Sequence, residues 1–176
     1  MPRNVGKIFE DEIKNSIPDY VLLCRLPDAA QSFARNEKLR FSRRNPFDFI
    51  MWDSEHKRLF AIEAKTVAGK SISFERNEKE SGVIHYYQVC GLEMWNRFSG
   101  IEAGFIIQFR SLEETIFLRI DDYNKMIKQT TKKSFRLDEL KQNEIHFFNI
   151  TQKKKRTRYT YDLDDLFHQI ENEGRK

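Results

Sequence analysis

Long apolar runs are missing from this sequence. It contains no stretch of about 18 consecutive apolar residues, the length that a helix needs to cross a membrane. The first residues, 1–6, also lack the apolar segment of a signal peptide. Both absences predict a soluble protein that has no membrane partner.

Cysteine is scarce as well. Only Cys24 and Cys90 are present, and each lies inside an apolar segment. Cysteines in such a setting are most often buried free thiols in a reducing compartment, so we expect a cytoplasmic protein. The two positions do not have the spacing of zinc ligands, so a zinc site is not predicted.

The sequence has no internal repeat and no long low-complexity linker. Its 176 residues are 39% hydrophobic and 33% charged, and fifteen phenylalanines supply much of the apolar material. A chain of this length can bury a proper core. We therefore predict one domain over residues 1–176 and an α/β or α+β fold.

Apolar periodicity predicts the main elements of this domain. Helices are expected over residues 4–17 and 84–98, in a short stretch capped by Asp121, and after a cap at Asp162. Buried strands are expected over residues 20–26 and 103–109. Further strands are expected over residues 115–120 and 145–150, with an extended stretch at 135–137.

The most informative stretch is residues 46–65. Two apolar runs flank a polar turn at 54–57, which is typical of a β-hairpin. Three charged residues interrupt the apolar runs: Asp48, Glu63 and Lys65. Side chains alternate along a strand, so Glu63 and Lys65 share a face, and the antiparallel partner strand brings Asp48 beside Glu63.

This trio has two interpretations. A Glu-x-Lys pair on an exposed strand is usually a solvated ion pair that contributes little. On a mostly buried sheet, the same charges are costly unless they are paired or hold a metal. Two carboxylates form an oxygen site suited to Mg²⁺, and the lysine beside them is able to steady an attacking water or a developing negative charge.

Basic residues are clustered, although the net charge is only +4. A loop at 29–45 interleaves cations with Phe33 and Phe41, and a C-terminal basic segment precedes the final helix within residues 151–176. Such clusters either track a phosphate backbone or simply form solvated loops. The DNA-binding candidates are Arg35, Lys38, Arg40, Arg43, Arg44, Lys153, Lys154, Lys155, Arg156 and Arg158.

Taken together and in order, six short motifs resemble a known family. They are Gly6-Lys7-Ile8-Phe9-Glu10, Phe47-Asp48, Ile62-Glu63-Ala64-Lys65-Thr66, Ser73-Phe74, His85-Tyr86-Tyr87-Gln88, and Gly104-Phe105-Ile106-Ile107 with Phe109. This series resembles the RecU type of Holliday junction resolvase, within the PD-(D/E)XK nuclease superfamily. The likeness spans roughly residues 5 to 120.

The resemblance implies a restriction-endonuclease-like fold, in which helices flank a mixed central sheet. It implies that Asp48 and Glu63 bind Mg²⁺, with Mn²⁺ as a substitute, and that Gln88 completes the metal shell. Lys65 would stabilise the transition state or orient the water, and Glu10 resembles an auxiliary acid. A glutamate in the first turns of a helix is otherwise an ordinary surface residue. The family also implies a homodimer that cuts both strands of a four-way DNA junction.

The sequence departs from the family in ways that keep alternatives open. Asn45-Pro46-Phe47 stands where the family carries a Thr-Thr pair, the segment from Lys65 to Gln88 is longer, and the basic tail after Phe148 has no counterpart. One alternative is a restriction- or repair-type nuclease that cuts linear duplex DNA. Another is a DNA-binding protein on the same fold without catalysis. His85 is a candidate general base, although a histidine at a helix end is more often structural.

Overall fold

The computed structural model describes residues 4–27 and 45–173. These residues form five helices and ten strands. The helices are α1 (Val5–Lys14), α2 (Tyr86–Asn96), α3 (Ile120–Gln129), α4 (Leu137–Gln142) and α5 (Leu163–Glu173). The strands are β1 (Val21–Arg25), β2 (Phe49–Asp53), β3 (Arg58–Val67), β4 (Ser71–Ser73), β5 (Ile101–Phe109), β6 (Glu114–Arg119), β7 (Ser134–Arg136), β8 (Phe148–Ile150), β9 (Gln152–Lys155) and β10 (Arg158–Tyr161).

Six strands build one mixed sheet in the order β1-β2-β3-β5-β6-β8. Only β3 and β5 run parallel in this sheet, and the other neighbours are antiparallel. Helix α2 connects the two parallel strands, because a parallel pair needs a long crossover. The prediction of a mixed central sheet flanked by helices is confirmed. Two small antiparallel pairs, β4 with β7 and β9 with β10, lie outside it.

Helices cover both faces of the sheet, and each face has its own apolar core. On one face, α2 and α3 pack over β3, β5 and β6, around residues such as Leu92, Phe105 and Tyr123. On the other face, α1 and α5 pack over the same strands, around residues such as Phe9, Phe60 and Phe167. The sheet is therefore held from both sides, which gives side chains at the strand ends a rigid base.

The hairpin predicted at residues 46–65 is present as β2 and β3. Its register pairs Phe49 with Ile62 and Asp53 with Arg58. The turn closes because the carboxylate of Asp53 accepts hydrogen bonds from the amides of Glu55 and His56, at 3.0 Å each. This local chemistry sets the register, and the register decides which side chains face each other.

The predicted burial of residues 20–26 is wrong. Among the described residues, β1 pairs only with β2, so it is an edge strand. Leu22 is 70% exposed and Cys24 is exposed, while Cys90 is half-buried. Both cysteines are free thiols, as predicted, but neither is buried. The continuous apolar run indicated a strand without revealing its position in the sheet.

Two further predictions about the C-terminal half need correction. Asp121 is not the cap of α3, since the helix begins at Ile120, and the Asp121 carboxylate instead accepts a hydrogen bond from Asn96 at 2.9 Å. The basic segment at 153–158 is not a simple tail, because it folds as the β9–β10 hairpin. The predicted cap of the last helix is confirmed: Asp162 accepts a hydrogen bond from the Asp165 amide at 3.1 Å.

None of the helices in residues 4–27 and 45–173 is long and apolar enough to span a membrane.

Candidate active site

A pocket of about 450 Å³ opens where the β2–β3 hairpin meets the N-terminal ends of α1 and α2. Three separate parts of the chain build its walls, so its composition depends on the tertiary fold. The residues that line it include Asn4, Gly6, Glu10, Asp48, Glu63, Lys65, Thr66, His85, Tyr87 and Gln88. All the residues predicted as catalytic or metal-binding therefore lie in one pocket.

Asp48, Glu63 and Lys65 converge as the hairpin register predicts. The Asp48 amide donates to the Ile62 carbonyl at 3.1 Å, and its carboxylate accepts from the Ala64 amide at 2.9 Å. Lys65 Nζ lies 2.9 Å from Glu63 Oε1. Because Glu63 is only 3% exposed, the interpretation of this pair as a solvated surface ion pair is wrong.

The two carboxyl groups carry more buried negative charge than their surroundings neutralise. Burial raises the pKa of Glu63 to about 8, with the Lys65 ammonium opposing the rise and Asp48 adding to it. Burial also raises the pKa of Asp48, against the Ala64 hydrogen bond, and the charge of Glu10 adds to the rise. The Glu63 carboxyl therefore holds a proton at neutral pH unless a cation takes its place.

Gln88 reaches the pocket from the first turn of α2. Its amide nitrogen donates to Glu63 Oε1, and its amide oxygen accepts from the His85 amide at 3.0 Å. The helix sits close to the hairpin because position 91 is glycine: a Cβ there would lie 2.3 Å from Pro46 Cβ. In this arrangement Gln88 holds Glu63 in place, and its role as a metal ligand stays a prediction.

Glu10 enters the pocket from α1, but it is not an isolated surface glutamate. Arg25, at the end of the edge strand β1, contacts Glu10 Oε2 through Nε at 2.8 Å and Nη2 at 2.7 Å. This pair ties α1 to the strand beside the hairpin. Sequence reasoning missed Arg25, although a cation that ends an otherwise apolar strand is a usable sign of a polar neighbour.

His85 is oriented by a residue that the sequence did not single out. Its Nδ1 lies 2.8 Å from Glu75 Oε1, and Glu75 Oε2 accepts from the Tyr86 amide at 2.9 Å. Glu75 therefore satisfies one of the unpaired amides at the start of α2. The His85 ring stacks on Tyr87 with centroids 5.5 Å apart. These contacts support the structural interpretation of His85.

The predicted DNA-binding residues fall into two groups. Lys153, Lys154, Lys155 and Arg156 are exposed on the β9–β10 hairpin, whereas Arg158 is half-buried beside α1. The second group lies outside the described residues: Arg35, Lys38, Arg40, Arg43 and Arg44. The structure therefore gives a location only for the C-terminal basic group.

The donor set of the pocket fits a hard divalent cation. Asp48 and Glu63 offer carboxylate oxygens, which Mg²⁺ prefers. Within residues 4–27 and 45–173, no group of three or more His, Cys, Asp or Glu side chains is arranged to hold a metal ion. Both carboxyl groups line the same pocket and Glu63 is buried, so a cation between them would offset the cost of burying their charge.

The sequence was also compared with known proteins. No protein family model matches the chain, and no curated protein matches it.

Proposed function

We propose that this chain is a Mg²⁺-dependent DNA endonuclease that acts on branched DNA, with the four-way junction as its substrate. The supporting observation is the convergence of Asp48, Glu63 and Lys65 in one pocket, with the Glu63 carboxyl buried at its base. This is the trio that the resemblance to RecU-type resolvases implies. A homodimer belongs to the same proposal, since two strands of a junction are cut symmetrically.

Each residue has a role that follows from its position. Asp48 and Glu63 would hold the ion, which when bound supplies a more acidic water and relief of negative charge on the phosphate. Lys65 would donate to the phosphate oxygen that gains negative charge, because its ammonium lies in the pocket, 2.9 Å from Glu63 Oε1. Gln88 keeps Glu63 oriented, and Arg25 keeps Glu10 in the pocket.

A cytoplasmic location is also part of the proposal. Both cysteines are free thiols, and one of them is exposed on an edge strand. Free thiols persist in a reducing compartment, which supports this location.

The proposal predicts metal-dependent cleavage of a labelled four-way junction. The parent protein should cut the junction in Mg²⁺ and leave a linear duplex of the same sequence largely intact. Asp48→Asn is the inactive control, because it keeps the size of the side chain and removes its charge. On a denaturing gel, the amount of product over time measures the cleavage rate, and the product lengths locate the cut.

The outcomes of this assay separate the proposal from its two alternatives. Equal cutting of junction and linear duplex would favour a restriction- or repair-type nuclease. Tight junction binding with no cutting in Mg²⁺ or Mn²⁺ would favour a DNA-binding protein without catalysis. The absence of metal-dependent cutting on any DNA structure would reject the enzyme.

A second prediction concerns the choice of metal. Ca²⁺ takes oxygen ligands as Mg²⁺ does, but with longer and more flexible coordination. We expect junction binding without cutting in Ca²⁺, and cutting when Mg²⁺ or Mn²⁺ is added to the same sample. A mobility-shift gel run beside the cleavage gel checks this. Cutting in Ca²⁺ at the rate measured in Mg²⁺ would contradict the proposed site.

A further inference from the structure

The β9–β10 hairpin presents two exposed lysines, Lys153 and Lys155, on one side. Its register pairs Lys155 with Arg158 and Lys153 with Thr160, so the side chains of these residues share a face. Lys154 lies on the opposite face, where its Nζ is 3.6 Å from Glu113 Oε1 and 5.6 Å from the ring centroid of Tyr159. Among the described residues, no carboxylate lies within ion-pair distance of Lys153, Lys155 or Arg156.

Helix α1 anchors this hairpin. The Tyr159 amide donates to Glu12 Oε1 at 3.1 Å, and the Tyr161 amide donates to Ser16 Oγ at 3.0 Å. Arg158 Nη1 lies 3.9 Å from Glu12 Oε1 and 3.5 Å from the Ile8 carbonyl. The same helix contributes Glu10 to the candidate active site. One rigid element therefore carries both the pocket wall and the support of the hairpin.

A series of buried hydrogen bonds makes a second connection between the pocket and the β9–β10 hairpin. Thr66, which lines the pocket, donates to Gln108 Oε1 at 2.8 Å, and Gln108 Nε2 donates to Tyr161 Oη at 2.9 Å. Tyr161 Oη then donates to Glu12 Oε2 at 3.2 Å. Gln108, Tyr161 and Glu12 are each at most 5% exposed. This series of hydrogen bonds crosses the core from β3, the strand of Lys65, to the β9–β10 hairpin.

The carboxylate at position 12 is part of a buried polar network. Removing one member of such a network leaves its partners unpaired, which is destabilising. Glu12 accepts hydrogen bonds from the Tyr159 amide and the Tyr161 hydroxyl, and it forms an ion pair with Arg158 at 3.9 Å. Its three partners all belong to β10, so its contacts hold that strand in one position.

From these contacts we infer that the hairpin holds the phosphate backbone of a DNA duplex beside the pocket, and that Glu12 is the positioning residue that sets its place. This inference rests on the proposed function for its partner. Gly6, in the pocket, and Glu12 are six positions apart on α1, which is about 9 Å along a helix. A DNA strand carries a phosphate about every 3.4 Å of axis, so about three phosphates span that distance.

The first test measures the salt dependence of duplex binding without any divalent ion. The hairpin variant K153A/K155A/R156A should lower the slope of log affinity against log salt by two to three units, since each lost phosphate contact removes about 0.9. The control K125A/K128A/K141A removes three exposed lysines that lie on α3 and α4, on the other side of the sheet. It should keep the parental slope.

The second test addresses Glu12 itself. Glu12→Leu should lower the slope by one to two units and speed hydrogen exchange at the Tyr159 amide. It should also lower the melting temperature, because it leaves the Tyr159 amide and the Tyr161 hydroxyl without their acceptor. Glu12→Gln keeps an acceptor for Tyr159 and should restore most of the parental slope. A purely structural role predicts the same fall in melting temperature at an unchanged slope, so the slope decides between the two roles.

A neighbouring acid gives a third measurement. Asp11 lies with Lys14 and Arg158 along the same groove between α1 and the hairpin. Its charge opposes a phosphate there, so Asp11→Asn should tighten duplex binding about two- to threefold at low salt. A hairpin variant or an Asp11 variant that binds like the parent would overturn the inference.

Different results would contradict this inference and the nuclease proposal. If the parent cuts DNA and the hairpin variant keeps the parental slope, the inference is wrong and the nuclease stands. If binding depends on the hairpin but no DNA is cut in Mg²⁺, the nuclease is wrong and the inference stands. If the hairpin variant shows a lower salt-dependence slope on RNA duplexes but not on DNA duplexes, DNA is the wrong partner.

Discussion

Glu63→Gln is expected to abolish DNA cleavage while leaving junction binding within a fewfold of the parent. The amide has the size of the carboxyl group and keeps an oxygen for Lys65 and Gln88, so the pocket retains its shape. It lacks the negative charge that would hold the divalent ion. We expect the cleavage rate in Mg²⁺ to fall by about a thousandfold or more, comparable to the loss of a major electrostatic group in other enzymes.

The same hairpin offers a matched control for this substitution. Glu55 is exposed in the turn, and Glu55→Gln makes the same chemical change away from the pocket. It should cut at the parental rate. Single-turnover cleavage and a mobility-shift gel in Ca²⁺ measure the two quantities separately. If Glu63→Gln cuts as fast as Glu55→Gln, the candidate site is assigned wrongly.

The second large effect is on stability without a divalent ion, which should fall as the pH rises from about 5 to 8. Burial raises the pKa of Glu63 from 4.5 to about 8, so the folded protein binds this proton more tightly than the unfolded chain. The favourable contribution is complete below about pH 4.5 and is lost as the pH rises to about 8. Asp48 adds to the loss, because burial raises its pKa as well.

The expected size of this effect is large for one side chain. A rise of this extent corresponds to at most about 5 kcal/mol of unfolding free energy, or roughly 10 to 20 °C in melting temperature for a chain of this length. Glu63→Gln should remove most of this pH dependence and should melt at a higher temperature than the parent at pH 8. Thermal melts in EDTA at several pH values measure both.

Adding Mg²⁺ at pH 8 provides the complementary measurement. A ligand that binds only the folded protein raises its stability by mass action, so the parent should regain part of the loss. Glu63→Gln should respond much less, and Glu55→Gln should behave as the parent does. A parental melting temperature that does not change between pH 5 and 8 in EDTA would show that Glu63 ionises freely in the folded protein.

These two predictions describe one trade-off. A buried pair of carboxylates lowers stability in the absence of a cation, and a neutral amide at position 63 would avoid that cost. Residues that act on a charged substrate are commonly retained at a loss of stability. Higher stability and lost cleavage in the same Glu63→Gln protein would be the combined result that this interpretation expects.

The sequence by itself determined the local part of this site. Asp48, Glu63 and Lys65 lie on one hairpin, whose turn and side-chain alternation set which residues meet. The helix α1 and the strands β5 and β6 were also predictable, because α1 has its apolar residues on one face and both strands are apolar runs. The order of the motifs predicted that Glu10 and Gln88 join the hairpin residues. The structure places both in the same pocket as Asp48, Glu63 and Lys65.

Only the tertiary structure decided the contacts between distant residues. Arg25 pairs with Glu10, and the Tyr159 amide reaches Glu12 across 147 positions of sequence. The apolar run of β1 gave no indication that it lies at the sheet edge, because an edge strand and a central strand can have the same composition. Apolar periodicity indicates which side of a helix or strand is buried. The elements that pack against that side depend on the fold of the whole chain.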